Sequence, residues 1–107
     1  MHKIWDIILV KFPFTNLTNF KLRPALIVWE YKNDFIILAI SSNKLNWINY
    51  KLNNSDLKEW ELLVKSYIKV NKITSIEKSI IFSNIAKLDK DIVKKVKKKF
   101  IDKILYL

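Results

Sequence analysis

The sequence predicts a small, mainly β domain of antiparallel character with one C-terminal amphipathic helix, an α+β fold. Two patterns predict it. Three apolar runs separated by short polar or proline-bearing turns occupy the chain up to Ser41, and an apolar stripe at helical spacing runs through its last segment. The composition agrees: 50% of the 107 residues are apolar, 28% are charged, and the length fits a single domain, residues 1–107. A chain of this size buries only about two-thirds of its unfolded surface, so a homodimer that hides more is expected.

The first strand is expected over Ile4-Trp5-Asp6-Ile7-Ile8-Leu9-Val10, rich in β-branched and aromatic residues and ended by Pro13. Phe12 to Leu22 reads as a polar loop. Pro24 opens a second strand through Trp29, at a point where a ladder can spare an N–H. Asn33-Asp34 signals a tight turn, and Phe35 to Ser41 is a third strand. These three form a meander, curled into a barrel or packed under a helix. Trp47 to Leu52 alternates as a strand does, and Asn53-Asn54-Ser55 makes a turn. Asp56 to Val64 reads as a short helix with Ser55 as its N-cap, and Tyr67 to Val70 as another strand. Ser79 to Phe82 begins a further element of either type. In the last segment Ile92, Val93, Val96, Phe100, Ile101, Ile104 and Leu105 follow one helical stripe with lysines opposite. Asp89 is placed to cap this helix and Asp91 to complement its dipole. The lysines form its solvated face.

Composition removes whole classes of chemistry. There is no cysteine, and His2 is the only histidine, so thiolate chemistry, a Ser-His-Asp triad and a multi-histidine metal site are excluded within one chain. There is no glycine either, which excludes glycine-dependent phosphate loops. No metal and no cofactor are expected. The formal charge is +10, which suits a polyanionic partner, although heavy use of Lys, Asn and Ile also fits an AT-rich coding sequence. Against that lysine bias Arg23, the sole arginine, marks a need for a planar, bidentate and permanently charged group. The opening residues meet Asp6 before any apolar stretch develops, and the longest apolar run, Phe35 to Ile40, is too short to span a membrane. A soluble cytoplasmic protein without a membrane partner is expected.

Five segments resemble the MazF/PemK family of toxin–antitoxin ribonucleases. Trp5-Asp6-Ile7-Ile8-Leu9-Val10-Lys11-Phe12-Pro13-Phe14-Thr15 is similar to the family's opening G-D-I-V-L-V-x-F-P-F-T. Leu22-Arg23-Pro24-Ala25-Leu26-Ile27-Val28 resembles its R-P-A-L-V-V strand, and Ile37-Leu38-Ala39-Ile40-Ser41-Ser42 its I-L-A-x-I-T-S strand. Leu62 to Lys69 resembles its L-L-K-P-S-x-V stretch, and Ile85-Ala86-Lys87-Leu88-Asp89 the entry to its last helix. The resemblance implies a small, strongly bent SH3-like antiparallel barrel with a C-terminal helix, usually dimeric. It also implies metal-independent cleavage of single-stranded RNA, restrained by a cognate acidic antitoxin. Two departures stand out. Trp5 replaces the family's glycine, and Ser41 its catalytic threonine, which keeps the hydroxyl and loses the methyl that fixes its rotamer.

Without a histidine or metal site, such a cleavage uses the substrate's own 2′-hydroxyl. Arg23 is expected to bind the phosphoryl oxygens and Ser41 to hydrogen-bond the scissile phosphate; these are the candidate catalytic residues. Lys11, Asn16, Lys21, Ser42 and Lys44 are candidate RNA contacts in the loops and strands that flank this site in the family. Trp47 is the candidate for base stacking, while Trp5 and Trp29 are expected in the core or a dimer contact. Two other readings stay open: a CcdB-like, non-enzymatic toxin that binds a topoisomerase, and an RNA-binding module of the same fold with little catalysis.

Overall fold

The computed structural model of the chain describes residues 2–13, 20–42, 50–53 and 66–102. Six antiparallel strands form one sheet: β1 (Asp6–Pro13), β2 (Phe20–Tyr31), β3 (Asp34–Ser41), β4 (Tyr50–Leu52), β5 (Ser66–Glu77) and β6 (Ile81–Lys87). A 3-10 turn, Lys78–Ile80, joins β5 to β6, and helix α1 (Lys90–Phe100) follows. The strand order is β4-β5-β3-β2-β1-β6.

That order forces the sheet to curl. Flat, β5 and β6 would stand four strand spacings apart, about 19 Å, whereas the chain from Glu77 to Ile81 reaches at most about 14 Å. Curling gives the sheet two buried faces, and strand alternation sorts the side chains between them. Ile7, Leu26, Leu38, Ile40, Ile68 and Val70 pack on the α1 side with Ile92 and Val96. Ile8, Val10, Ala25, Ile27, Phe35 and Ile37 form the core of the other face, closed by Ile76, Ile80 and Ile81. Each fully buried Ile, Leu or Phe contributes about 1.5–3 kcal/mol.

Several elements differ from the sequence expectation for identifiable reasons. β2 starts at Phe20 rather than Pro24. The proline is accommodated inside the strand because the β2–β3 ladder stops at Ala25↔Ala39, which leaves Pro24 paired only with Leu9 of β1. The β2–β3 turn is Lys32-Asn33, with Lys32 at φ 54. β5 runs well past Val70, held by pairing with β3, although residues 71–75 are all exposed and carry no apolar alternation. Ser79 to Phe82 divides between the 3-10 turn and β6. Asp89 occupies the N-cap of α1, yet its side chain makes no capping bond; its carbonyl accepts from the N–H groups of Ile92 (3.0 Å) and Val93 (2.9 Å). Ile101, expected on the buried stripe, is 52% exposed. The expected helix over 56–64, the start of the fourth strand at 47–49, and Ile104 and Leu105 lie outside the described residues.

Trp5 sits at φ 73, in the left-handed region where glycine is unstrained. A bulky residue there costs about 1–2 kcal/mol. Hydrogen bonds on both sides hold it: its N–H donates to Ile27 O (2.7 Å), and its carbonyl accepts from Leu88 N–H (3.1 Å). The ring packs against the helix-side core, with Lys97 Nζ 5.3 Å from its centre. Local strain is thereby exchanged for tertiary packing.

Candidate functional site

Strand register assembles the site. Arg23, exposed on β2, stands opposite Val10 of β1. Ser41, the last residue of β3, stands opposite Tyr67 of β5, and Tyr67 in turn faces Lys51 of β4. Arg23 and Ser41 each lie two residues beyond the last β2–β3 pair, Ala25↔Ala39. Alternation puts Arg23 on the face of Ala25 and Ile27, and Ser41 on that of Ile37, so both belong to the same face. One row runs through Ser41, Tyr67 and Lys51, and Arg23 lies on the same face just beyond the end of the β2–β3 ladder. Lys21, also exposed, shares this face two residues before Arg23, and Ser42 is exposed in the bend that follows β3.

Lys11 does not join them. It pairs with Leu22, on the opposite face, and its Nζ lies 5.6 Å from the centre of the exposed Phe82 ring. Asn16, Lys44 and Trp47 lie outside the described residues. Trp29, expected in the core or a contact, is 58% exposed. It lines a groove of about 340 Å³ with Trp5, Val28, Phe100 and Lys97, on the α1 side and away from Arg23.

The next row inward, Ile8, Ala25, Ala39 and Lys69, holds a residue that sequence reasoning missed. Lys69 is only 2% exposed. Burial lowers its pKa below the usual lysine range, and the nearby Lys72 lowers it further. Alternation from Ile68 and Val70 was the available signal, but it predicts an exposed lysine. Tyr67 and Lys51 were also missed, because only the long-range pairings place them beside Ser41.

Among the described strand residues the charged side chains at this end are cations: Lys21, Arg23, Lys51 and Lys69. Among the described residues the strand carboxylates lie elsewhere: Asp6 at the start of β1, and Glu30, Asp34 and Glu77 at the β2–β3 turn. Cations set around a hydroxyl are suited to a phosphodiester, since the guanidinium donates two parallel hydrogen bonds to phosphoryl oxygens. No group of three or more His, Asp or Glu among the described residues is arranged to hold a metal ion.

The family model for PemK-like, MazF-like toxins of type II toxin–antitoxin systems matches residues 3–104. The chain belongs to that family. Solved structures of similar fold include an endoribonuclease in complex with its cognate antitoxin from a mycobacterial species, at TM-score 0.75 and 10% identity over 100% of this chain and 98% of that one. A MazE-MazF structure from Deinococcus radiodurans has TM-score 0.73 and 14% identity, covering 94% of each chain. The Mycobacterium tuberculosis toxin MazF-mt6 has TM-score 0.69 and 12% identity over 91% and 93%. No curated protein matches the sequence. Among the described residues no helix is long and apolar enough to cross a membrane.

Proposed function

We propose that this MazF/PemK-family toxin is a metal-independent endoribonuclease that cuts single-stranded RNA in the cytoplasm through attack by the substrate's 2′-hydroxyl. The observation that supports the reading is the shared face of Arg23 and Ser41, each two residues beyond the last β2–β3 pair, with Lys21 on β2 and Lys51 on β4. Arg23 would bind two phosphoryl oxygens and stabilise the charge that grows on them in the transition state. The Ser41 hydroxyl would donate to the same phosphate and fix the scissile bond in line. Lys21, Ser42 and Lys51 would take neighbouring backbone phosphates, with Asn16, Lys44 and Trp47 as further candidates for RNA contact.

The curled sheet and helix fit the SH3-like barrel of the family, and a homodimer fits the exposed Trp29 and Ile101. A cognate acidic antitoxin would suit the +10 charge. In excess EDTA the purified protein should cut a long single-stranded RNA and spare duplex RNA. Loss of all cutting on chelation, with recovery on adding magnesium, would reject the mechanism.

A further inference from the structure

Of Ser66 to Val70, the first five residues of β5, only Tyr67 keeps contact with solvent; the other four are buried. Ladder pairing sets it between Ser41 of β3 and Lys51 of β4. Ile68 and Val70 belong to the helix-side core, so alternation puts Tyr67 on the other face, with Arg23 and Ser41. Tyr50, opposite Ile68, instead packs against the helix-side core. Paired side chains of adjacent strands start about 5 Å apart, so the Tyr67 ring begins one short step from the Ser41 hydroxyl. Lys51, on its other side, is exposed. A hydroxyl, an aromatic ring and an ammonium therefore follow one another across three strands. A single-stranded nucleic acid offers the matching series: anionic phosphates along its backbone, and flat bases that stack on aromatic side chains. Under the nuclease reading Ser41 and Lys51 each have a phosphate to bind, and the ring between them has no part.

We propose that Tyr67 is the stacking platform for a base adjoining the scissile phosphate, a role that rests on the nuclease reading above. The phosphate is held at Arg23 and Ser41, the chain crosses from β3 toward β5, and the base lies on the Tyr67 ring. The next phosphate then comes within reach of Lys51. A half-buried tyrosine suits this task. Only two side-chain torsions need fixing, and its strand already restrains them, so stacking costs little entropy. Every base has a π face, so the platform grips the strand without reading its sequence. Held at both phosphate and base, the nucleotide has its sugar fixed between them, which serves the in-line geometry that cleavage requires. Two aromatics more exposed than Tyr67 lie elsewhere: Trp29 lines the groove on the α1 side, and Tyr31 pairs with Asp34 at the β2–β3 turn.

The test is a double-mutant cycle on affinity. Cleavage of a single-stranded RNA by wild type first places the cut in its sequence. Fluorescence anisotropy then gives the Kd of the matching non-cleavable 2′-deoxy strand, intact and with one base at a time replaced by an abasic sugar. Wild type should bind about fivefold or more weakly when a base next to the cut is removed. Exchanging that base for any of the other three should cost less than removing it. Tyr67→Leu should bind the intact strand more weakly by a similar factor, and loss of that base should then cost it less than about twofold. Tyr67→Phe should match wild type, because the ring carries the contact. An abasic penalty as large in Tyr67→Leu as in wild type would make Tyr67 a cross-strand filler and overturn the proposal. So would a Tyr67→Phe that binds as weakly as Tyr67→Leu, which would assign the contact to the hydroxyl. A wild type that tolerates an abasic sugar on both sides of the cut would overturn it without any variant. Each of these results, in a protein that cuts RNA, leaves the nuclease reading standing. A wild type that cuts no RNA would remove that reading, and this inference with it.

Discussion

The two ends of the curled sheet carry charge in opposite ways. At the β2–β3 turn, acids and bases are mixed: Lys78 bridges Glu30 and lies 4.9 Å from the Phe35 ring centre, while Asp34 and Glu77 stand opposite each other. The Lys78 backbone N–H also ties down the turn through Asn33 O at 2.9 Å. At the far end of the same strands Arg23, Lys51 and Lys69 gather around Ser41 and Tyr67, with no carboxylate among the described residues. Like charges brought together repel, and under the proposed function the phosphates of an RNA are the ligand that offsets them. The turn end reads as charge arranged for the fold, and the cationic end as charge held for a partner.

Substitutions at the two ends should therefore behave differently. The largest effect is expected at Arg23: Arg23→Lys keeps the charge and removes the fork, so single-turnover cleavage should fall about 10²-fold or more. Thermal stability should shift by less than about 1 kcal/mol, as for an exposed residue. Equal rates in the two proteins would return Arg23 to a structural role. Ser41 comes next. Ser41→Ala should slow cleavage about tenfold with RNA affinity nearly intact, since the contact strengthens in the transition state. Ser41→Thr should match or exceed wild type, because the methyl fixes the hydroxyl. If all three proteins bind RNA equally and none cuts it, the chain is a binding module. The smallest effect belongs to the turn end. Lys78→Ala removes a half-exposed ion pair, so stability should fall by less than about 1 kcal/mol with cleavage unchanged. A matching loss of cleavage would erase the distinction between the ends.

What the sequence revealed follows the range of the forces involved. Strand identity in β1 and β3 was legible from apolar runs, and α1 from its periodicity, because local pattern decides which face is buried. Arg23 stood out in the sequence as the one arginine of a lysine-rich chain, and the register places it, exposed, on β2 opposite Val10. The second half of β5 was not, since residues 71–75 are exposed and it is the pairing of Ile73 to Glu77 with β3 that continues the strand. Lys69 was invisible for a related reason: alternation puts it opposite Ile68 and Val70, and nothing local shows that its face is also covered. Pro24 misled in the other direction, because a proline that usually opens a strand is tolerated inside one where a ladder has ended. At Trp5 the positive φ was hidden as well. The residue type argues against it, and only the bonds to Ile27 and Leu88 and the packed ring sustain it.

The central claim is that RNA sits on the cationic end of the sheet and not on the turn end. Amide chemical shifts of isotope-labelled protein, titrated with a single-stranded 2′-deoxy oligonucleotide that cannot be cut, test it most directly. The account predicts the largest shifts at Lys21, Arg23, Ser41, Ser42, Lys51 and Tyr67, with Glu30 to Asp34 and Glu77 to Ser79 left in place. Shifts centred on the β2–β3 turn, or on the groove beside Trp29 and Lys97, with Arg23 and Ser41 unmoved, would contradict it.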